Sequence, residues 1–188
     1  MWSPDHRAAL GRLFRAALAI GSTGLLAACF QPLYGQPPLS GAPTLGNALA
    51  AIEVQQIDAA RGSLDARIAI ELRNALLFDL TGGEGSIAPT HRLHVRMATS
   101  RSAIIVDPQT GRTEAEVTGI DVKYTLTELA TGRPVINATA FARVSSDIPG
   151  QQQRFARSRA QRDAEDRAAK VIADQIRARL ASYLVAGT

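Results

Sequence analysis

Residues 91–106, HRLHVRMATSRSAIIV, alternate almost perfectly between apolar and polar side chains. Leu93, Val95, Met97, Ala103 and Ile105 take one face, and Arg92, His94, Arg96 and Ser100 take the other. A period of two is what a half-buried strand requires, because successive side chains point to opposite sides of the sheet. The pattern then repeats. Beyond the turn residues Asp107-Pro108-Gln109-Thr110-Gly111, Ala115 and Val117 hold odd positions, whereas Ile120, Val122, Tyr124 and Leu126 hold even ones. That change of phase beside Gly119 predicts an inserted residue, a β-bulge. After Ala130-Thr131-Gly132-Arg133, a third long strand is expected over 134–144. There Ile136, Ala138, Ala140, Ala142 and Val144 alternate with Val135, Asn137, Thr139, Phe141 and Arg143.

Helical spacing flanks these strands. Ser63 reads as an N-cap with Asp65 in the first turn, and the following run stops at Thr81-Gly82-Gly83. Leu64, Ile68, Leu72, Ala75, Leu76 and Leu80 form its apolar stripe. From 152 to about 184, Ala156, Ala160, Ala164, Ala168, Ile172, Ile176, Leu180 and Leu184 step by four, joined by Val171 and Tyr183. Asp163 with Arg167 and Asp166 with Lys170 are expected as ion pairs four residues apart. A short strand at 51–57 (AIEVQQI) comes before the first helix. The order β-α-β-β-β-α predicts an α+β fold. It would be a two-layer sandwich, with two helices on one face of a mostly antiparallel four-stranded sheet.

The chain has 188 residues, enough for one domain plus a leader. Its single cysteine excludes an internal disulfide framework and a multi-cysteine zinc site. The sequence pI is about 9.8, yet the net charge is only +4. Half of that charge comes from Arg7, Arg12 and Arg15 against Asp5, ahead of residue 29. No contiguous polybasic block of the kind that grips nucleic acid or anionic lipid is visible.

Those arginines precede an uncharged stretch, 16–28 (AALAIGSTGLLAA), too short to span a bilayer and ending in small residues. It reads as a signal peptide, the alternative being an N-terminal helix packed on the domain. Leu26-Ala27-Ala28-Cys29 matches the bacterial lipobox, in which the thiol is diacylated, becomes the new N-terminus and receives a third acyl chain. Cys29 is therefore the expected lipidation site. Phe30 stands where an aspartate would favour inner-membrane retention, so the outer membrane is the expected address. Residues 29–47 carry prolines at 32, 37, 38 and 43 and read as a tether, either featureless or with a foothold at Phe30, Leu33 and Tyr34. The domain is expected over 48–188.

Catalytic chemistry finds little support. His91 and His94 are three apart on a strand, so they face opposite ways and cannot chelate one metal. Residues 82–86 (GGEGS) lack the lysine of a phosphate loop. Asp163, Glu165, Asp166 and Asp174 alternate with basic residues and read as a solvated helix face. No enzyme activity, metal or cofactor is expected beyond the covalent lipid on Cys29.

The run Cys29-Phe30-Gln31-Pro32-Leu33-Tyr34-Gly35 resembles the opening of the LPS-assembly lipoproteins, the LptE family, although the glycine usual after the cysteine is missing. Glu71-Leu72-Arg73-Asn74-Ala75-Leu76 and the series Phe155-Ala156, Asp163-Ala164, Arg167-Ala168, Ile176 and Arg179-Leu180 are similar to the branch found in Gram-negative bacteria of the alpha class. The resemblance implies a non-enzymatic plug inside the outer-membrane β-barrel LptD. It also implies a role in assembling that barrel and in delivering lipopolysaccharide to the outer leaflet. Lipopolysaccharide phosphates would favour arginine. Arg92, Arg96, Arg101, Arg112 and Lys123 are the candidate contacts, either to lipopolysaccharide or to the barrel lumen; solubilising surface charge is the other reading. A different class of reading is a periplasmic lipoprotein serving phospholipid transport of the MCE type, which predicts an apolar groove between sheet and helices.

Overall fold

The computed structural model describes residues 44–83, 87–111, 113–148 and 154–187, all within the compact unit Ala42–Thr188. Its elements are α1 (Leu45–Ala50), β1 (Ile52–Val54), α2 (Leu64–Thr81), β2 (His91–Val106), β3 (Thr113–Glu128), β4 (Pro134–Asp147) and α3 (Arg154–Ala186). The sheet order is β1-β2-β3-β4. β2, β3 and β4 form an antiparallel meander, and β1 pairs with β2 in parallel. A parallel neighbour needs a crossover, which α2 supplies on the way from β1 to β2. The fold is α+β, as the alternation predicts, with a mixed sheet.

Local chemistry sets the ends of α2. The Ser63 hydroxyl accepts from the Ala66 N–H at 3.1 Å, and Gly82 adopts φ 68°, a left-handed cap open to glycine without steric cost. On α3 the four-residue stripe from Ala164 to Leu180 is fully buried. It lies on the even side chains of β3 and β4 and the odd ones of β2, so Leu93, Val95, Ile120, Val122, Leu126, Ala140 and Ala142 complete the core. Val171, expected in that stripe, is exposed: the buried face widens on the other side of the four-residue step, through Ala169, Ala173 and Ala181.

Three further expectations are corrected. Residues 45–47, read as tether, begin helix α1, whose N-cap Thr44 accepts from the Asn47 N–H at 3.2 Å. Leu49 of that helix is buried, and α1 packs on both longer helices. Six residues are too few to show a period. The short strand spans 52–54 rather than 51–57, although Ile57 is buried.

The bulge expected beside Gly119 is absent: pairing runs without a break from Thr118 to Ile120 on both sides. The irregular pairing sits instead at 103–106, near the first hairpin tip, and at 126–127. Thr118 is itself buried and continues the even-numbered inner row. Gly119 faces outward and leaves room for its neighbours. A Cβ there would stand 2.5 Å from the Ser100 Oγ and 3.0 Å from Arg143 Cδ. Gly119→Val is expected to displace Arg143 and lower stability by about 1–3 kcal/mol, as overpacking does; chemical denaturation would measure it.

Candidate functional site

The outer face of the sheet carries the even residues of β2 and the odd residues of β3 and β4. Its charges are mostly spent on one another. Arg92 Nε donates to Glu53 Oε2 at 2.8 Å, across the parallel pair. Arg143 donates twice to Asp121, at 2.8 Å each, and lies 5.9 Å from the centre of the exposed Phe141 ring. Arg96 Nε donates to His94 Nε2 at 3.2 Å, and the other nitrogen of that ring lies 3.0 Å from Gln55 Oε1.

Arg96 and Lys123 are direct cross-strand partners, both exposed. Among the described residues neither has a carboxylate within ion-pair distance. Like charges directly opposite each other weaken strand pairing, so stability does not account for this pair. It forms a cationic spot beside Thr139, flanked by the neutralised pairs Glu53–Arg92 and Asp121–Arg143.

The predicted residues therefore separate. Arg92, Arg96 and Lys123 share the outer face. Arg101 does not: it occupies the inner side of β2, in register with buried Thr118. The parity that buries Leu93 and Val95 also turns Arg101 toward the helices. Cys29 and Arg112 lie outside the described residues. His91 and His94 point to opposite faces, as expected; the His91 ring packs edge-on against Tyr183 of α3 at 6.3 Å.

Arg101 meets a constellation that the sequence reading missed. Glu165, expected on a solvated face, is only 1% exposed. Its carboxylate receives Arg101 at 2.6 Å from β2 and Arg67 from α2. Gln161, with its amide oxygen turned to the guanidinium, accepts from Arg101 at 3.0 Å. Asp166 pairs with Arg67 at 3.5 Å, and Lys170 lies 3.8 Å from Asp174, so the expected Asp166–Lys170 pair does not form. Arg67 draws Asp166 toward α2 instead. Asp163 and Arg167 pair as predicted, at 2.8 Å. Beside Glu165 an open pocket of about 390 Å³ is lined by Ser63, Arg67, Ser158, Gln161 and Arg162.

At the first hairpin tip, Asp107 accepts from the Gln109 N–H at 2.8 Å and from the Thr110 hydroxyl at 2.7 Å. The Thr110 bond, then the Gln109 bond, hold its carboxyl below the usual aspartate value. Among the described residues no helix is long and apolar enough to cross a membrane.

Known structures share this architecture. A candidate lipoprotein from Caulobacter crescentus CB15 superposes with a TM-score of 0.59 at 22% identity, over 77% of this chain and 97% of that one. The rare lipoprotein B of Shewanella oneidensis gives 0.50 at 16% identity, over 71% of this chain and 96% of that one. These likenesses establish the fold. No curated protein sequence matches the chain. The lipopolysaccharide-assembly family model, LptE, matches residues 49–180, from the end of α1 to the last buried turns of α3. The chain belongs to the LptE lipopolysaccharide-assembly family.

Proposed function

We propose that this chain is a non-enzymatic outer-membrane lipoprotein, held by acyl chains on Cys29. It would occupy the lumen of the LptD β-barrel, help that barrel to assemble and support passage of lipopolysaccharide to the outer leaflet. The observation that carries this reading is the family match across 49–180, nearly the whole compact unit. Two physical features support it. The outer sheet face carries two neutralised pairs, Glu53–Arg92 and Asp121–Arg143, and exposed polar side chains such as Ser100, Asn137 and Thr139, which suits the polar interior of a large barrel. The space between sheet and helices is filled by side chains such as Leu72, Ile120, Ile172 and Ile176, all with no exposed surface. A phospholipid carrier would need a groove there.

A photo-crosslinking residue at Thr139, on the outer face of the full-length lipidated chain, is expected to capture the LptD barrel in cells. Capture of an inner-membrane phospholipid-transport component instead would favour the MCE-type reading.

Within this function Arg96 and Lys123 are the assigned phosphate contacts. Arg96→Glu with Lys123→Glu should weaken lipopolysaccharide binding by at least about tenfold, the scale of one lost charge-assisted hydrogen bond. The double reversal replaces one like-charged pair by another, so the melting temperature should hardly move. Unchanged lipopolysaccharide retention in a pull-down would remove both residues from the contact set.

A further inference from the structure

The first nine residues of α3, Arg154–Arg162, read RFARSRAQR, with four arginines and no acid. Interleaved Phe, Ala, Ser and Gln hide the run from a search for contiguous basic blocks, and the helix gathers it. Ala156 and Ala160 are partly buried and extend the stripe that Ala164 and Ala168 bury completely. Arg157, Arg159 and Arg162 are exposed, and among the described residues no carboxylate lies within ion-pair distance of any of them. Arg92, Arg143 and Arg167, by contrast, are each spent on a carboxylate.

Phe155 is 89% exposed, more than any other large apolar side chain described. With Arg159 and Arg162 it recurs at i, i+4 and i+7, so the three share one face of the helix. Packing does not explain this face. Helix stability does not either, since cations in the opening turns oppose the helix dipole. What the face does match is an interface between charged headgroups and hydrocarbon. Arginine pairs bidentately with phosphate, and an aromatic ring beside it enters the boundary with the acyl chains.

We propose that this arm of α3 docks on the surface of an anionic phospholipid membrane, with Arg159 and Arg162 on lipid phosphates and Phe155 inserted beneath them. A membrane is favoured over an acidic protein patch because the arginines fan around the helix, Arg157 on a different side from Arg159. A fluid layer of phosphates can meet such a fan, whereas a rigid surface must match it residue by residue. The proposal rests on the reading of the chain as an envelope lipoprotein, which brings the arm to a membrane.

The test uses the chain from residue 29 onward with Cys29→Ser, which contains the whole compact unit and takes no acyl chain. It is mixed with phosphatidylcholine vesicles, with or without phosphatidylglycerol, and the vesicles are floated. The chain is expected to float with phosphatidylglycerol vesicles only, and to be released by high salt. Arg159→Gln with Arg162→Gln should lower partition about 30-fold, from roughly 1 kcal/mol per arginine at an anionic surface. Phe155→Ser should lower it independently, with the melting temperature unchanged in both variants. Absence of flotation, equal flotation with both vesicle types, or a double variant that partitions like the parent would each overturn the proposal. None of these results touches capture of the barrel by the crosslinker at Thr139, so the two readings fail separately.

Discussion

Glu165→Ala is expected to lower the free energy of unfolding by about 3–5 kcal/mol, the cost of breaking a buried ion pair by removing one partner. Glu165 is almost wholly withdrawn from water, and two guanidiniums converge on it from different elements, Arg67 on α2 and Arg101 on β2. Without the carboxylate Arg101 loses its ion-pair partner and Arg67 keeps only the more exposed Asp166 at 3.5 Å. The two arginine side chains are 31% and 32% exposed, so water reaches them in part and the lower end of the range applies. Glu165→Gln keeps an acceptor for one arginine and should cost less. Asp163→Ala serves as the control. It removes a surface pair, with Arg167, whose side chains are 67% and 53% exposed, and should change stability by no more than about 1 kcal/mol. Urea denaturation of the chain from residue 29 onward measures all three. A Glu165→Ala midpoint matching that of the Asp163→Ala control would show that the triad does not bind the two helices to the sheet.

The same triad marks how far the sequence could be read. Alternation gave the three long strands because each has one face on the helices and the other free. β2 begins and ends where the pattern does, at His91 and Val106. Capping chemistry gave both ends of α2. Periodicity assigns a residue to a face, however, and is silent on what packs there. Arg101 shares the parity of Leu93 and Val95, so its inward direction was legible; its arginine character hid it among the surface charges. Glu165 stands next to buried Ala164 at the angle where α2 crosses α3, and no one-dimensional pattern reports where two helices touch. Gly119 misled for a related reason. The inner row passes through Thr118, buried although polar, while the apolar Ala115 and Val117 hold odd positions, so the apolar pattern shifts phase with no residue inserted. Of the candidate contacts, the register places Arg96 beside Lys123. That juxtaposition follows from the hairpin turn at 107–111 once the irregular pairing at 103–106 is known.

Cys29→Ser is expected to abolish palmitate incorporation and to remove the protein from the outer-membrane fraction. Burial of acyl chain contributes about 0.8 kcal/mol per methylene, and a single chain holds a protein only marginally, so the full set of chains on one residue decides attachment. Nothing else described in the chain can replace it. No described helix spans a bilayer, and the arm of α3 offers only one inserted ring and an electrostatic hold that physiological salt screens within about 8 Å. Serine keeps the size and polarity of the position but cannot form the thioether. The variant should therefore lose the lipid without losing the fold, whose buried core among the described residues lies within 49–181. The measurement is metabolic labelling with palmitate followed by membrane fractionation of the full-length chain and the serine variant. Label on the serine variant, or its presence in the outer-membrane fraction in parental amounts, would show that residue 29 is not the anchor. Attachment would then have to come from the arm or from a protein partner, and the arginine variants at 159 and 162 would tell which.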